Sequence, residues 1–268
     1  MLEGIRIIEL EGLGPGPFAA MMLADLGADV IVVHRPSPSV STMPEQNIID
    51  RGKRSIVLDL KNKDDFANMK KLIATADGLI EGFRPGVMEG LGLGPEVVHK
   101  DHPGLVYGRM TGWGQNGPKA KDAGHDLNYI ALSGALWYAS SAGTPPFTPP
   151  TLAGDIGGGA LYLVAGILAG LLKAQNTGKG TVVDAAIVDG SAHMMNLLMS
   201  TQAAGSLSPN RGESFLDGPP WSRCYACADD EWISVQCLEP KFYAVFIEKL
   251  DLKNDPDFNQ QMDQSVWP

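Results

Sequence analysis

The chain predicts an α/β fold, a sheet with helices on both of its faces, and three observations carry that prediction. Short runs rich in β-branched residues recur at 5–10, 28–34, 55–60, 78–81 and 105–110. Stretches of helical periodicity separate them. Glycine- and proline-rich turns punctuate the joins. Strand, helix and strand in that order imply parallel pairing with right-handed crossovers.

Taken in order, residues 5–10 (IRIIEL) read as the first strand. Gly12, Gly14, Pro15, Gly16 and Pro17 turn the chain, 18–26 form a helix, and 28–34 a second strand. The glycines run G-x-G-x-G with Pro17 next, whereas a dinucleotide fingerprint needs G-x-G-x-x-G. A tight turn without phosphate chemistry is the better reading. Residues 36–47 are a polar loop, and Arg51, Lys53 and Arg54 a compact basic cluster. Strands at 55–60, 78–81 and 105–110 follow, with a helix at 64–75. Helices are predicted at 126–138 and 157–173, a strand at 180–184, and a helix from there to about 202. Beyond the loop 206–220, a hairpin spans 225–237 and a helix 241–250.

The totals narrow the function. At 268 residues the chain makes one large domain, or one with a small appendage. A net charge of −10 leaves no basic stripe for nucleic acid. Three cysteines suggest a reducing compartment, and Cys224 and Cys227 lack the second pair that a zinc site needs. The start, Met1-Leu2-Glu3-Gly4, leads directly into a strand and carries no signal peptide features. The apolar run 156–172 is short for a bilayer span and reads as a buried helix. In sheets of this kind ligands lie beyond the carboxyl ends of the strands. Arg35, Lys61 and Arg84 sit at or just after such ends, which favours a phosphate-rich ligand.

Chemistry concentrates between 124 and 159. His125 follows a glycine, and Asp155 precedes an apolar helix. We read them as two proton-transfer groups facing one substrate carbon; the plainer readings are a structural imidazole and a helix N-cap. Burial would raise the Asp155 pKa and the helix N-terminus would lower it. Backbone N–H groups around Gly157 and Gly158 are candidate donors to an enolate oxygen.

The stretches LEGLGPGPF (10–18), RGKRSIVLDLK (51–61), 83–94, GHDLNY (124–129), GDIGGG (154–159), TGKGTVVD (177–184), RGESFLDG (211–218) and LEPKFY (238–243) resemble the family III CoA-transferases. Within them, GHDLNY resembles the α-methylacyl-CoA racemase branch. The resemblance implies a doubly wound, Rossmann-like large domain plus a smaller α+β domain. It divides the chain into a large CoA-binding domain (1–185), a linker helix and loop (186–220) and the start of the small domain (221–268). Family chains usually continue beyond this length and return to complete the large domain, so a fragment is expected. The implied reaction is racemisation of 2-methylacyl-CoA thioesters through an enolate, with His125 and Asp155 as opposed acid and base and Glu239 supporting the imidazole. Arg35, Leu58, Asp59, Leu60, Lys61, Arg84, Gly124, Asp126, Leu127, Asn128 and Tyr129 match its CoA-binding positions. No cofactor or metal is implied beyond the coenzyme A of the substrate. The expected assembly is an interlocked homodimer, cytoplasmic, or peroxisomal or mitochondrial in a eukaryote, without nucleic-acid or membrane partners. Two rivals stand beside racemisation: CoA transfer with Asp155 as nucleophile, and non-catalytic acyl-CoA binding. At 218–222 the chain reads GPPWS where racemases usually carry Gly-Gly-Ala-Pro-Tyr/Phe-Tyr, which leaves the acyl chain open.

Overall fold

The computed structural model describes residues 1–37 and 47–267; the central part of the predicted 36–47 loop therefore lies outside the described residues. The chain forms two compact units, Met1–Leu136 with Thr148–Met195, and Trp137–Phe147 with Asn196–Pro268.

The first unit contains β1 (Arg6–Leu10), α1 (Pro15–Asp25), β2 (Asp29–His34), β3 (Lys53–Val57), α2 (Lys63–Ile73), β4 (Gly78–Glu81), α3 (Val87–Gly90), α4 (Pro95–Asp101), β5 (Val106–Thr111) and α5 (Asp126–Ser133). A π-helical segment, Leu152–Ala160, then runs straight into α6 (Leu161–Thr177), followed by β6 (Thr181–Ala186) and α7 (Ile187–Met194). All six strands are parallel, in the order β3-β2-β1-β4-β5-β6. This is the doubly wound order: the chain winds outward from β1 to β3, then crosses back to β4 and winds the other way. Side chains alternate along each strand, so β1 sends Ile7 to one face and Ile8 and Leu10 to the other. Ile7, Val30, Ile80 and Val106 pack with α1 and α6; Ile8, Ile31, Leu79 and Tyr107 pack with α2 and α4.

Several boundaries differ from the sequence prediction, each for a local reason. The third strand begins at Lys53, two residues before the predicted start, because the basic cluster is part of it. The Lys53 and Glu9 side chains are 1% and 2% exposed and pair at 2.7 Å, and Lys53 Nζ also donates to Pro17 O at 2.9 Å. Arg51 pairs with Asp25 and Arg54 with Asp29. The cluster is thus taken up by internal ion pairs. The predicted helix 126–138 stops at Ser133, because Gly134 adopts the left-handed conformation (φ 85°) that closes a helix. The apolar helix begins earlier than predicted, at Leu152, so Asp155 lies inside a helical turn rather than capping one. Leu152–Thr177 is long and apolar enough by length and composition to cross a membrane. Here it buries Leu163, Val164, Ile167 and Leu171 against the sheet.

The second unit contains α8 (Asn196–Ala203), the antiparallel pair β7 (Ser222–Ala226) and β8 (Trp232–Gln236), and α9 (Pro240–Lys249). Its core is Trp221, Cys237, Tyr243 and Ile247. Trp221 meets Phe215 and Trp267 edge-on and donates from Nε1 to Gln261 O at 3.0 Å. The unusual GPPWS stretch therefore supplies the central side chain of this unit's core. Cys224 and Cys227 are free and exposed.

Candidate active site

The crevice between the two winding directions opens at the carboxyl ends of β1 and β4, and it is here that a cavity of about 550 Å³ lies. Its wall is built from the turn after β1 (Gly12–Pro17), the turn after β4 (Gly82–Pro85), the end of β5 with Gly112 and Trp113, the residues leading into α5, and the π-helical segment.

The turn after β1 explains why this cavity is not a dinucleotide site. Gly14 stands at φ 68°, which lets α1 start abruptly. Pro15 and Pro17 occupy the first and third helical positions, and the Phe18 N–H is bonded to Gly14 O at 3.1 Å. Proline has no N–H, so Pro15 and Pro17 remove two of the first three amides of α1 from a phosphate cradle, which needs several.

The turn after β4 is held by a buried ion pair. The Glu81 carboxylate, fully buried, accepts Arg109 Nε at 2.8 Å and the Phe83 N–H at 2.7 Å. Arg109 reaches on to Glu89, at 2.7 Å and 3.2 Å. Burial raises the Glu81 pKa above the ordinary carboxylate value even against the pull of Arg109. The arrangement fixes the two residues before Arg84, whose side chain is exposed at the cavity.

His125 is the N-cap residue of α5. Its backbone N–H donates to Asn128 Oδ1 at 2.9 Å, so Asn128 fixes the chain where the imidazole emerges. Tyr129 lies in the same turn, packs edge-on against Trp113 (centroids 4.7 Å apart), and donates its hydroxyl to Gly124 O. A side chain at Gly112 would overlap the Tyr129 ring, which is why the chain needs glycine beneath it.

Asp155 stands in the π-helical segment, half-buried at the cavity. Burial pushes its carboxyl up to about 6, helped by the neighbouring Asp126 charge and opposed by His125. Of the two opposing influences named from the sequence, burial prevails. Tyr129 is also raised, first by burial and then by the Asp155 charge. The π-helical ladder runs from Ile156 N–H to Thr151 O at its start and from Leu161 N–H to Ile156 O at its end. The amides of Gly157 and Gly158, the expected donors to an enolate oxygen, lie inside that π-helical segment.

The structure brings Arg84, Gly124, His125, Tyr129 and Asp155 around one cavity. Asp126 is buried beneath it, with its Oδ1 on the backbone of Gly154 and Asp155. Leu127 and Asn128 are exposed on α5. Arg35 and the 58–61 loop follow β2 and β3 on the same carboxyl edge of the sheet, but do not line the cavity. Arg35 lies 3.6 Å from Glu11. Leu58 is buried in the core and Leu60 packs against it, so both can meet a ligand only by their backbone or at their rim. Asp59 accepts the Lys61 N–H at 3.0 Å, and Lys61 is exposed. Glu239 is the N-cap residue of α9, in the second unit. Sequence reasoning did not find Trp113, the Glu81–Arg109 pair or the anchoring role of Asp126; a glutamate that ends an otherwise apolar strand is the one signal that could have found Glu81.

The model of the CoA-transferase family III matches residues 2–266. The α-methylacyl-CoA racemase of Homo sapiens is 43% identical over 268 residues, spanning all of this chain and 69% of that one. The racemase of Mus musculus is 42% identical over 269 residues, again all of this chain and 69% of that one. Among solved structures, a CAIB/BAIF family protein from Brucella suis superposes with a TM-score of 0.81 at 26% identity, covering 98% of this chain and 73% of that one.

Proposed function

The chain belongs to the CoA-transferase family III, and from that premise we propose that it racemises 2-methylacyl-CoA thioesters by moving the α-proton between His125 and Asp155. The observation that carries the reading is that an imidazole and a carboxyl raised to about 6 line one cavity at the switch point of the sheet. Racemisation needs two such groups, because one removes the proton and the other returns it to the opposite face of the enolate. A carboxyl raised to about 6 can serve as proton donor as well as acceptor, which suits reversible proton transfer. Glu239 is assigned support of the imidazole by its place in the LEPKFY match. The cations beyond the strand ends, Arg84 in the cavity wall and Arg35 and Lys61 further along the same edge, suit the phosphates of coenzyme A. The 124–129 and 58–61 stretches complete that binding surface.

CoA transfer is the second reading, since the family description names it. It uses an ionised Asp155 as nucleophile and has no need of His125. Incubation with a 2-methylacyl-CoA in D₂O and with hydroxylamine separates the two. Deuterium at the α-carbon with no hydroxamate on Asp155 is the expected result; a hydroxamate on the peptide holding Asp155 means transfer. His125→Ala is expected to lower α-proton exchange by roughly 10²–10⁴-fold while the thioester still binds. Exchange at the parent rate from both enantiomers would remove His125 from the mechanism.

Arg84→Ala tests the binding surface. Arg84 is remote from the reacting carbon, so its loss is expected to raise KM roughly tenfold or more with kcat nearly unchanged. An unchanged KM would show that Arg84 faces solvent only.

A further inference from the structure

Asp126 follows His125 directly, yet it does not share its surroundings. It is 7% exposed, and its Oδ1 accepts both the Gly154 N–H (2.9 Å) and the Asp155 N–H (2.8 Å). Its Oδ2 is buried without a hydrogen-bond partner among the described residues. At Gly154 a Cβ would collide with Asp126 Oδ1, so the glycine is what allows the carboxylate to come so close. These two amides belong to the first turn of the π-helical segment, where no carbonyl precedes them in the ladder. The segment starts from Thr151, itself held in the left-handed region at φ 65°. A turn that begins under that strain needs an acceptor for its opening amides, and Asp126 is it.

From this geometry we infer that Asp126 is a positioning residue for Asp155: it fixes the turn that carries the Asp155 carboxyl and sets one negative charge, only half satisfied, beside it. The inference rests on the reading of Asp155 as an acid and base. A fixed anion close to a second carboxyl favours the proton on the second, the arrangement that separates paired carboxylates elsewhere. The direction of the Asp155 shift agrees, with Asp126 acting after burial and in the same sense. The other ionisable groups around Asp155 are His125, which acts in the opposite sense, Tyr129, and Arg84 and Asp122 in the wall of the same cavity. From α7, the π-helical segment meets Ile187, Gly190, Ser191 and Met194, none of which ionises near neutral pH. His125 and Asp155 are thereby coupled through adjacent residues of one chain segment: the residue that starts α5 is the candidate base, and the next one holds the opposing acid in place.

The test is Asp126→Asn, which keeps an acceptor oxygen and removes the charge. The Asp155 carboxyl carbon is titrated by ¹³C NMR, and the pH profile of α-proton exchange is recorded in parallel. The expected result is an Asp155 midpoint displaced toward acid, with the acid limb of the exchange profile moving by the same amount. Gly154→Ala is the second variant: it keeps the charge but pushes the carboxylate off the two amides, and is expected to lower kcat at least tenfold with a much smaller change in KM. An Asp155 midpoint unchanged in Asp126→Asn, or parent kcat in Gly154→Ala, overturns the inference. A midpoint that moves while the exchange profile stays fixed upholds the positioning role and instead overturns the assignment of Asp155 as the catalytic acid.

Discussion

Asp155→Asn is expected to abolish α-proton exchange and, above pH 6, to make the protein more stable. The first effect follows from removing one of the two proposed proton-transfer groups, a loss of roughly 10²–10⁴-fold. The second follows from the raised pKa. In the unfolded chain an aspartate titrates near about 4, whereas in the fold Asp155 is pushed up to about 6. The native state therefore holds the proton more tightly than the unfolded one. That contribution to stability is fully present below the unfolded value and is lost as pH rises through 6. At pH 7.5 the ionised Asp155 is a burden on the fold, and asparagine relieves it. The variant's melting temperature should exceed the parent's by a few degrees at pH 7.5, and the two should converge near pH 4. The effect is moderated because the carboxyl is only half-buried. A melting temperature lower than the parent's at pH 7.5, with the fold intact by circular dichroism, would show that the Asp155 charge is not under strain.

The largest loss of stability is expected from Arg109→Ala. Its guanidinium is the sole positive charge given to the fully buried Glu81 within hydrogen-bond reach among the described residues. Removing it leaves an uncompensated carboxylate in the core, for which about 3–5 kcal/mol is the usual cost. For a protein of this size that corresponds to a fall in melting temperature of roughly 6–20 °C. Replacing both partners by apolar residues of similar volume, Glu81→Leu with Arg109→Met, should recover most of the loss, since the desolvation of both charges goes with them. The double variant is also expected to raise KM, because Glu81 no longer accepts the Phe83 N–H that fixes the turn before Arg84. A single variant as stable as the parent would refute the argument. Should the double variant fall further than the single one, side-chain packing rather than charge is what the pair supplies.

The fold was legible wherever the signal was local. The fourth strand, Gly78–Glu81, is bounded by its own β-branched and apolar residues and was read to the residue. The hairpin β7–β8 and the helix α9 were placed to within a few residues for the same reason. Short helices such as α3 and α4, interrupted by Gly86, Gly94 and Pro95, carry too few turns for a period to show. Lys53 was read with its basic neighbours as a cluster, because its partner Glu9 lies 44 residues away and no local pattern discloses it. The candidate site follows the same rule. His125 and Asp155 stood out by residue type, and the fold brings both to one cavity. That Asp155 begins within a helical turn, and that Asp126 grips it, depends on contacts spanning 28 and 29 residues.

The meeting of α7 with the π-helical segment has a consequence for how this protein can diverge. Added to Gly190, a Cβ would strike Gly158 O; added to Gly158, it would strike the Ser191 hydroxyl and come within 2.8 Å of Ser191 N and 2.9 Å of Ile187 O. Main chain approaches main chain there, with the Ser191 hydroxyl and the Tyr162 ring beside the contact. Most packed surfaces in a core can trade a methyl group on one side for a void on the other and drift together over many substitutions. At this one the two glycines have no side-chain volume to give up. The place of the π-helical segment, and of Asp155 on it, is thus held by a contact that admits no added methyl group, while side chains elsewhere in the sheet can turn over.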